Sequence, residues 1–308
     1  MNILINSDSF GSRAITKWQL ASDFIVDDDL KPVCLAPAKL NAEIERFLKS
    51  NETMLLIGGG DGSFHHAINL LMDHSNHKPR KKFTLGGLSL GSSGSFLRST
   101  HKAHLFGRIP GLLSESTKWT RDLGAIQFTD ENMNRRTVYF IANGSVGFLS
   151  AANQTFNTGG GLLGWLKKRN TDFANLWTFF KTLSQYQGQV AKLTVNEQVY
   201  TGNFLNIQFL KSEYYAGGYH FTRGNSEDSG LLDMHWFRYQ GKLGTLISFI
   251  LLSLNLDRKI KGHQEALSKK LKIESQELLL IEADGEIYKG NDIEVFCLPS
   301  ILELADGL

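Results

Sequence analysis

Disulfide chemistry has almost no material in this chain: Cys34 and Cys297 are its only cysteines. Both are expected to be buried free thiols, suited to a reducing compartment. Charge of one sign is equally scarce. Lys plus Arg number 33 against 31 Asp plus Glu, so no global basic field marks a nucleic-acid partner, and a lipid partner would need a local basic patch. The amino terminus lacks a basic region followed by a sustained apolar stretch, so no secretory signal is expected. The most apolar later run, 246–256, is interrupted by Ser248, Ser253 and Asn255. It is too short to span a bilayer, and any membrane contact is expected to be peripheral. The glycine run at 58–62 has neither Walker A nor Gly-x-Gly-x-x-Gly spacing. The nine histidines, among them His65, His66, His74, His77, His101 and His104, show no zinc-site spacing and read as surface or helix-packing residues.

Glycine, by contrast, is concentrated where it can act. In Leu55-Leu56-Ile57-Gly58-Gly59-Gly60-Asp61-Gly62-Ser63 an apolar strand runs into a glycine-rich turn carrying one carboxylate. Phe64, Ala67, Ile68, Leu71 and Met72 then recur on one helical face. Such glycines let backbone N–H groups converge on an anion, and the helix adds the positive end of its dipole. Asp61 would repel a phosphate directly, so its presence suggests a metal partner or a polar anchor. A plain flexible turn is the alternative.

At 308 residues, 42% hydrophobic and 21% charged, the chain can hold two modest domains with real cores. Apolar strands at 3–5, 32–35, 54–57 and 85–90 alternate with helical stretches at 39–50 and 64–74. That alternation predicts an α/β domain with a mostly parallel sheet over residues 1–119. Strand runs then follow at 122–128, 137–143, 189–195, 200–209, 231–237, 278–283 and 292–298, several joined by turn-like residues such as Asn196-Glu197 and Gly290-Asn291. They predict an antiparallel β-sandwich-like domain over 120–298 with helical insertions. The tail 299–308 is free to pack back on the first domain. One insertion is a helix expected over 162–186, rich in aromatics (Trp165, Phe173, Trp177, Phe180). The other is an amphipathic region from 243 to 256 that continues past His263 toward Leu271. Both stripes read first as core. Alternatively, Lys167, Lys168 and Arg169 beside Trp165 sit against anionic headgroups while apolar neighbours admit an acyl chain.

Gly59-Gly60-Asp61-Gly62-Ser63 resembles the Gly-Gly-Asp-Gly-Thr motif of the diacylglycerol kinase catalytic-domain family, which includes bacterial lipid kinases and is related to sphingosine and ceramide kinases. Further segments resemble that family in order over nearly the whole chain. Ile3-Leu4-Ile5-Asn6-Ser7-Asp8-Ser9-Phe10-Gly11 is similar to its opening strand and Asn-Pro-x-Ser-Gly turn, without the proline. Leu90-Gly91-Ser92-Ser93-Gly94-Ser95-Phe96-Leu97-Arg98 is similar to Leu-Gly-Thr-Gly-Asn-Asp-Phe-Ala-Arg. Arg121-Asp122-Leu123-Gly124 and Asn143-Gly144-Ser145-Val146-Gly147-Phe148 resemble two later strand motifs. Ser229-Gly230-Leu231-Leu232-Asp233 and Ala283-Asp284-Gly285-Glu286 resemble the closing ones.

The resemblance implies an ATP-dependent lipid kinase, cytoplasmic and peripheral to the membrane, which transfers the γ-phosphoryl group to a hydroxyl of diacylglycerol or a related lipid. ATP and Mg²⁺ are the implied cofactors, the lipid is met at the membrane surface, and a homodimer is allowed. It implies a phosphate cradle of Asn6, Gly59, Gly60, Asp61, Gly62, Ser63, Gly91, Ser92 and Ser93 in a nucleotide-binding first domain. Asp61 and Asp122 would hold Mg²⁺ and its water, with Asp61 also in the catalytic set. Glu286, supported by Asp284, would be the general base in a lipid-substrate second domain, which makes the active site an interdomain cleft. Taken alone, Asp284-Gly285 reads as a hairpin turn, Glu286 as an exposed strand residue and Asp122 as a strand anchor. Three departures stand out: Ser95 replaces an aspartate usual in bacterial members, His66 a frequent glutamate, and Ser229 another aspartate, with Asp228 displaced by one. The first weakens the case for a full metal network, and the last puts in doubt the structural metal of some relatives. Rival readings are a NAD kinase, which shares the Gly-Gly-Asp-Gly loop, and a non-catalytic nucleotide or lipid sensor. Asn196-Glu197 would suit the former but reads as a hairpin tip.

Overall fold

In a computed structural model the chain is described at residues 1–25, 30–92, 94–212, 214–215, 219–221 and 227–307. It forms two compact units. The first comprises Met1–Leu123, Ser226–Gly230 and Leu298–Leu308, and the second Gly124–Asn225 and Leu231–Cys297.

The first unit begins with β1 (Asn2–Asn6), α1 (Ala14–Ser22), β2 (Lys31–Leu35), α2 (Pro37–Lys49), β3 (Met54–Gly59), α3 (Asp61–Leu71) and β4 (Thr84–Ser89). β1 pairs parallel with β2 and β3, and β3 with β4. β3 and β4 are buried along their whole lengths, so both read as unbroken small or apolar runs without alternation. α2 opens on Pro37, whose missing N–H costs nothing there, and buries Leu40, Ile44 and Phe47 on one face. A short helix α4 (Ser95–Ser99) precedes the hairpin of β5 (His104–Phe106) and β6 (Ile109–Leu112), whose second strand pairs antiparallel with β4.

The second unit takes up the far part of β7 (Ser114–Asp130), then β8 (Arg135–Phe140), β9 (Asn143–Gly147), α5 (Phe148–Thr158), α6 (Leu162–Arg169), α7 (Thr171–Gln185), β10 (Gln189–Val195) and β11 (Gln198–Leu210). After these come β12 (Leu232–Arg238), α8 (Gly241–Ser253), β13 (His263–Ser268), β14 (Lys270–Glu274), β15 (Leu279–Ala283) and β16 (Glu286–Asp306). Pairing runs β9 to β11, β10, β14, β16 and β15 and returns to β9, every step antiparallel, which closes a six-strand barrel. Alternate residues fill its interior: Ala191, Leu193 and Val195 from β10, Leu271 and Ile273 from β14, and Leu279, Ile281 and Ala283 from β15. β12 pairs with β11 and carries β13 on its other edge. The last strand ends in the first unit, where Leu304 pairs parallel with Leu85.

These pairings correct the expected fold class. A mostly parallel α/β sheet followed by a sandwich is not what forms: the described ladders are mostly antiparallel, and the second set of strands closes into a barrel. Two-residue links at Asn196-Glu197 and Asp284-Gly285 can join only antiparallel neighbours. Alternation of apolar and polar residues is the same in a sandwich and a barrel, so only the distant β9–β15 and β10–β14 pairings decide between them. Smaller corrections follow. The helix expected over 162–186 is two helices, because Asn170 accepts from the N–H groups of Asp172 and Phe173 and starts a new one. Residues past His263 are strand, not helix. Gly290-Asn291 is no turn but lies within β16, where a Cβ at Gly290 would stand 2.4 Å from the Phe128 ring. Cys34 is exposed, not buried.

Candidate phosphate loop and its carboxylates

β3 delivers the chain to Gly60, which caps α3, so Asp61 and Gly62 open the helix while Ser63 N and Phe64 N donate back to the Gly60 carbonyl. The loop after β4 lies against this turn backbone to backbone. Leu90 N and Gly91 N both donate to the Gly59 carbonyl at 2.8 and 3.1 Å. A Cβ on Gly91 would stand 2.3 Å from the Gly60 Cα, so no larger residue fits without moving the loop. Asn6, at the end of β1, donates from Nδ2 to Ser63 Oγ at 2.9 Å, and its Oδ1 accepts from Asp8 N at 3.1 Å. Ser9 Oγ reaches Ser63 Oγ at 3.2 Å. Asn6, Gly59, Gly60, Asp61, Gly62, Ser63 and Gly91 are thus brought together; Ser92 follows Gly91 and is exposed. Ser93 lies outside the described residues.

Asp61 and Asp122 are both spent on backbone. Asp61 accepts from Ser95 N at 2.9 Å and Phe96 N at 3.1 Å, which seats the first turn of α4 beside the loop. Asp122 is fully buried, accepting from Gly230 N at 2.6 Å and Ser300 N at 2.9 Å, while its own N–H donates to the Glu227 carbonyl. It therefore ties three separate stretches of chain together. Beside it, buried Arg121 pairs with Glu227 at 2.5 Å and donates to Thr100 at 2.6 Å, and His101 shares the same glutamate.

In the second unit Asp284 and Gly285, with φ of 49° and 93°, form the left-handed turn between β15 and β16. The Asp284 carboxylate accepts from three consecutive N–H groups, Ile141, Ala142 and Asn143, at 2.8 to 3.1 Å. Glu286, the first residue past the turn, is exposed. Buried behind it, Glu282 accepts from Gly285 N at 2.6 Å and from Ser145 Oγ at 3.0 Å. Burial, reinforced by the neighbouring carboxylates of Asp284 and Glu286, pushes the Glu282 pKa up to about 8.

Lys17 was not legible as a site residue. It projects from α1, eleven residues past Asn6 at the end of β1, and no spacing rule ties it to the glycines. Its Nζ donates to the Gly91 carbonyl and stands 4.3 Å from the Phe10 ring centroid. Burial, and then the positive charge of Arg98 on α4, lower its pKa. A cation whose pKa is lowered in this way is stabilised when an anion arrives beside it.

No protein-family model and no curated protein matches the sequence. Solved structures do match its fold. A diacylglycerol kinase from Bacillus anthracis str. Sterne aligns with TM-score 0.62 and 14% identity over 99% of this chain and 96% of that one. Two further structures from that organism, with a provisional diacylglycerol kinase designation, give TM-scores of 0.66 and 0.67 at 16% and 14% identity over the same shares. Yeast NADH kinase complexed with NADH gives 0.53 at 9% identity over 99% of this chain and 83% of that one. The chain has the fold of these structures.

Proposed function

We propose that the protein is an ATP-dependent lipid kinase, working at a membrane surface, that transfers the γ-phosphoryl group to a hydroxyl of diacylglycerol or a related lipid. The observation that carries this reading is the glycine turn at the head of α3, closed by the Gly91 loop with Lys17 against it. A helix N-terminus and a cation beside it offer the charge a triphosphate needs. Likeness of fold to diacylglycerol kinase structures supports the same reading.

Each group then has a task. Backbone N–H groups at Asp61 and Gly62, with Lys17, hold the phosphates, and Asn6 and Ser63 fix the turn. Mg²⁺, when bound with the nucleotide, neutralises charge on the phosphate oxygens. Partly accessible Asp61 fits a role facing the ion's water shell. Asp122, fully buried with both oxygens accepting backbone hydrogen bonds, fits an anchor and not a direct ligand. Glu286 takes the proton from the lipid hydroxyl as that oxygen bonds to the γ-phosphorus and ADP departs. Asp284 keeps the Glu286 turn in place.

A lipid acceptor is supported by the second unit's surface. Trp165, Phe173, Leu176 and Phe180 stay exposed on α6 and α7, as do Leu243, Ile247 and Ile250 on α8 and Leu254 just past its end. The second set recurs at helical spacing, and Arg169 lies over the Trp165 ring on α6, as expected of a helix resting on anionic headgroups. Among the described residues no helix is long and apolar enough to cross a membrane. An apolar cavity lined by Leu149, Phe237, Phe249 and Leu252 holds about 10 Å³, room for one water and not for an acyl chain.

Purified protein given γ-labelled ATP, Mg²⁺ and a lipid panel should yield lipid phosphate, and Asp61→Ala should lower the rate at least about 100-fold, in line with loss of one electrostatic element. No labelled lipid, or equal rates for the two proteins, would overturn the proposal. NAD(H) belongs in the same panel, because the fold is shared with an NADH kinase. Asn196-Glu197 gives that acceptor no support, since both residues have positive φ at the tip of the β10–β11 hairpin.

A further inference from the structure

β12 and β13 pair so that Glu265 lies opposite His235, and His263 opposite Phe237. Residues two apart on a strand share a face. Asp233, His235 and Phe237 therefore stand with His263 and Glu265 on one face, while Leu232, Met234 and Trp236 fill the barrel core from the other. Phe221 stacks on the fully buried His235 ring at 3.6 Å and 6°, and Phe237 on His263 at 4.6 Å and 10°. Held this way, the two imidazoles are within 16° of coplanar. His235 Nδ1 lies 3.0 Å from His263 Nε2, and Glu265 Oε2 lies 3.9 Å from the same Nδ1.

Neither neutral tautomer of His235 satisfies these surroundings. With its proton on Nδ1, the Nε2 lone pair faces Asp233 Oδ1 at 3.2 Å, two buried atoms with no hydrogen-bond partner. With its proton on Nε2, the Nδ1 lone pair faces His263 Nε2, whose ring is already hydrogen-bonded to the Asp257 backbone. Two acceptors then meet at 3.0 Å. A positive centre on the Nδ1 side resolves both conflicts. We propose that this centre is a divalent transition metal of zinc chemistry, held by His235 Nδ1, His263 Nε2 and a carboxylate oxygen of Glu265.

Two imidazoles and one carboxylate are a zinc donor set, and three protein ligands leave a fourth position for water. One ligand atom from each residue lies within 4.8 Å of the other two. The Asp257 backbone accepts from the far side of His263, as metal-bound imidazoles require, and the Asp233 carboxylate stands 3.2 Å from the far nitrogen of His235. Arg258 stands 3.7 Å from Glu265 Oε1, the oxygen turned away from His235. His263 and Glu265 are half-buried, which gives an ion a way in.

The full chain, stripped with chelator, should bind Zn²⁺ at one ion per chain by titration calorimetry, and Co²⁺ should give the visible absorption of a four-coordinate site. Affinity should fall at least about tenfold in Asp233→Asn, and one-to-one binding should disappear in His263→Gln and Glu265→Gln. These two change half-buried residues and leave His235 in the core, so matching melting curves can show that they fold. No one-to-one binding, or binding unaltered in those variants, would overturn the site. So would ¹⁵N spectra showing both His235 nitrogens still protonated in excess Zn²⁺, which would make the positive centre a shared proton. None of these readouts involves phosphoryl transfer, so the metal site stands or falls apart from the proposed kinase activity.

Discussion

Asp61 and Asp284 act alike in the two units: each carboxylate gathers the N–H groups of a neighbouring segment, two for Asp61 and three for Asp284. Both were legible as important because each sits in a glycine turn, but sequence could not separate an anchor from a ligand. That difference lies in which N–H groups face the oxygens, and those come from residues 34 and about 140 positions away. Lys17 was invisible for the same reason. Because burial and Arg98 lower its pKa, an anionic ligand favours the protonated form, and affinity falls as pH rises through the lowered value. Lys17→Met should weaken ATP binding about tenfold, roughly 1.4 kcal/mol, and should flatten the fall of affinity with rising pH on the alkaline side in calorimetric titrations. Glu282 makes the opposite kind of prediction, about folding. Its carboxyl holds a proton up to about pH 8 when folded but releases it near 4.5 when unfolded. Its stability contribution is present below the lower value and lost as pH rises through the upper. Glu282→Gln, always neutral, should therefore lose less stability than the parent protein between pH 5 and 8 in urea melts. Parallel curves would refute the shift.

Elements were legible where local chemistry decides them. The Asn196-Glu197 hairpin and the strand-turn-helix at Gly59 to Ser63 follow from residues in the turn itself. α7 also carried its signal: Asn170 precedes it as an N-cap, although aromatic periodicity across 162–186 masked the break. Asn170→Ala should cost about 1 kcal/mol, measurable as a lowered melting temperature; an unchanged melt would mean that the two helices are held by packing alone. Gly290 shows the reverse failure. Its glycine answers to the Phe128 ring and not to a bend, and nothing in neighbouring residues says so. The histidine pair is the same lesson in another form, since His235 and His263 share no helix or loop spacing and meet only through the β12–β13 register.

At the scale of the whole molecule, the chain does not complete its units in order. Arg121 finds Glu227, Asp122 finds Gly230 and Ser300, and Leu85 pairs with Leu304, so the first unit draws on three stretches of sequence. A compositional boundary near 119 marks where the pattern changes but cannot reveal those returns. A fragment of residues 1–125 takes Glu227 from buried Arg121 and the Gly230 and Ser300 N–H groups from buried Asp122, at a cost on the order of 3 to 5 kcal/mol for the arginine alone. It should show no cooperative thermal transition by circular dichroism; a sharp one would show that the returning segments are dispensable. The closing pairs come from residues made after all those that pair in the barrel. On the ribosome, then, an early part must wait for a late one: the glycine turn emerges first, but the sheet beside it is finished only once the barrel strands between have been synthesised.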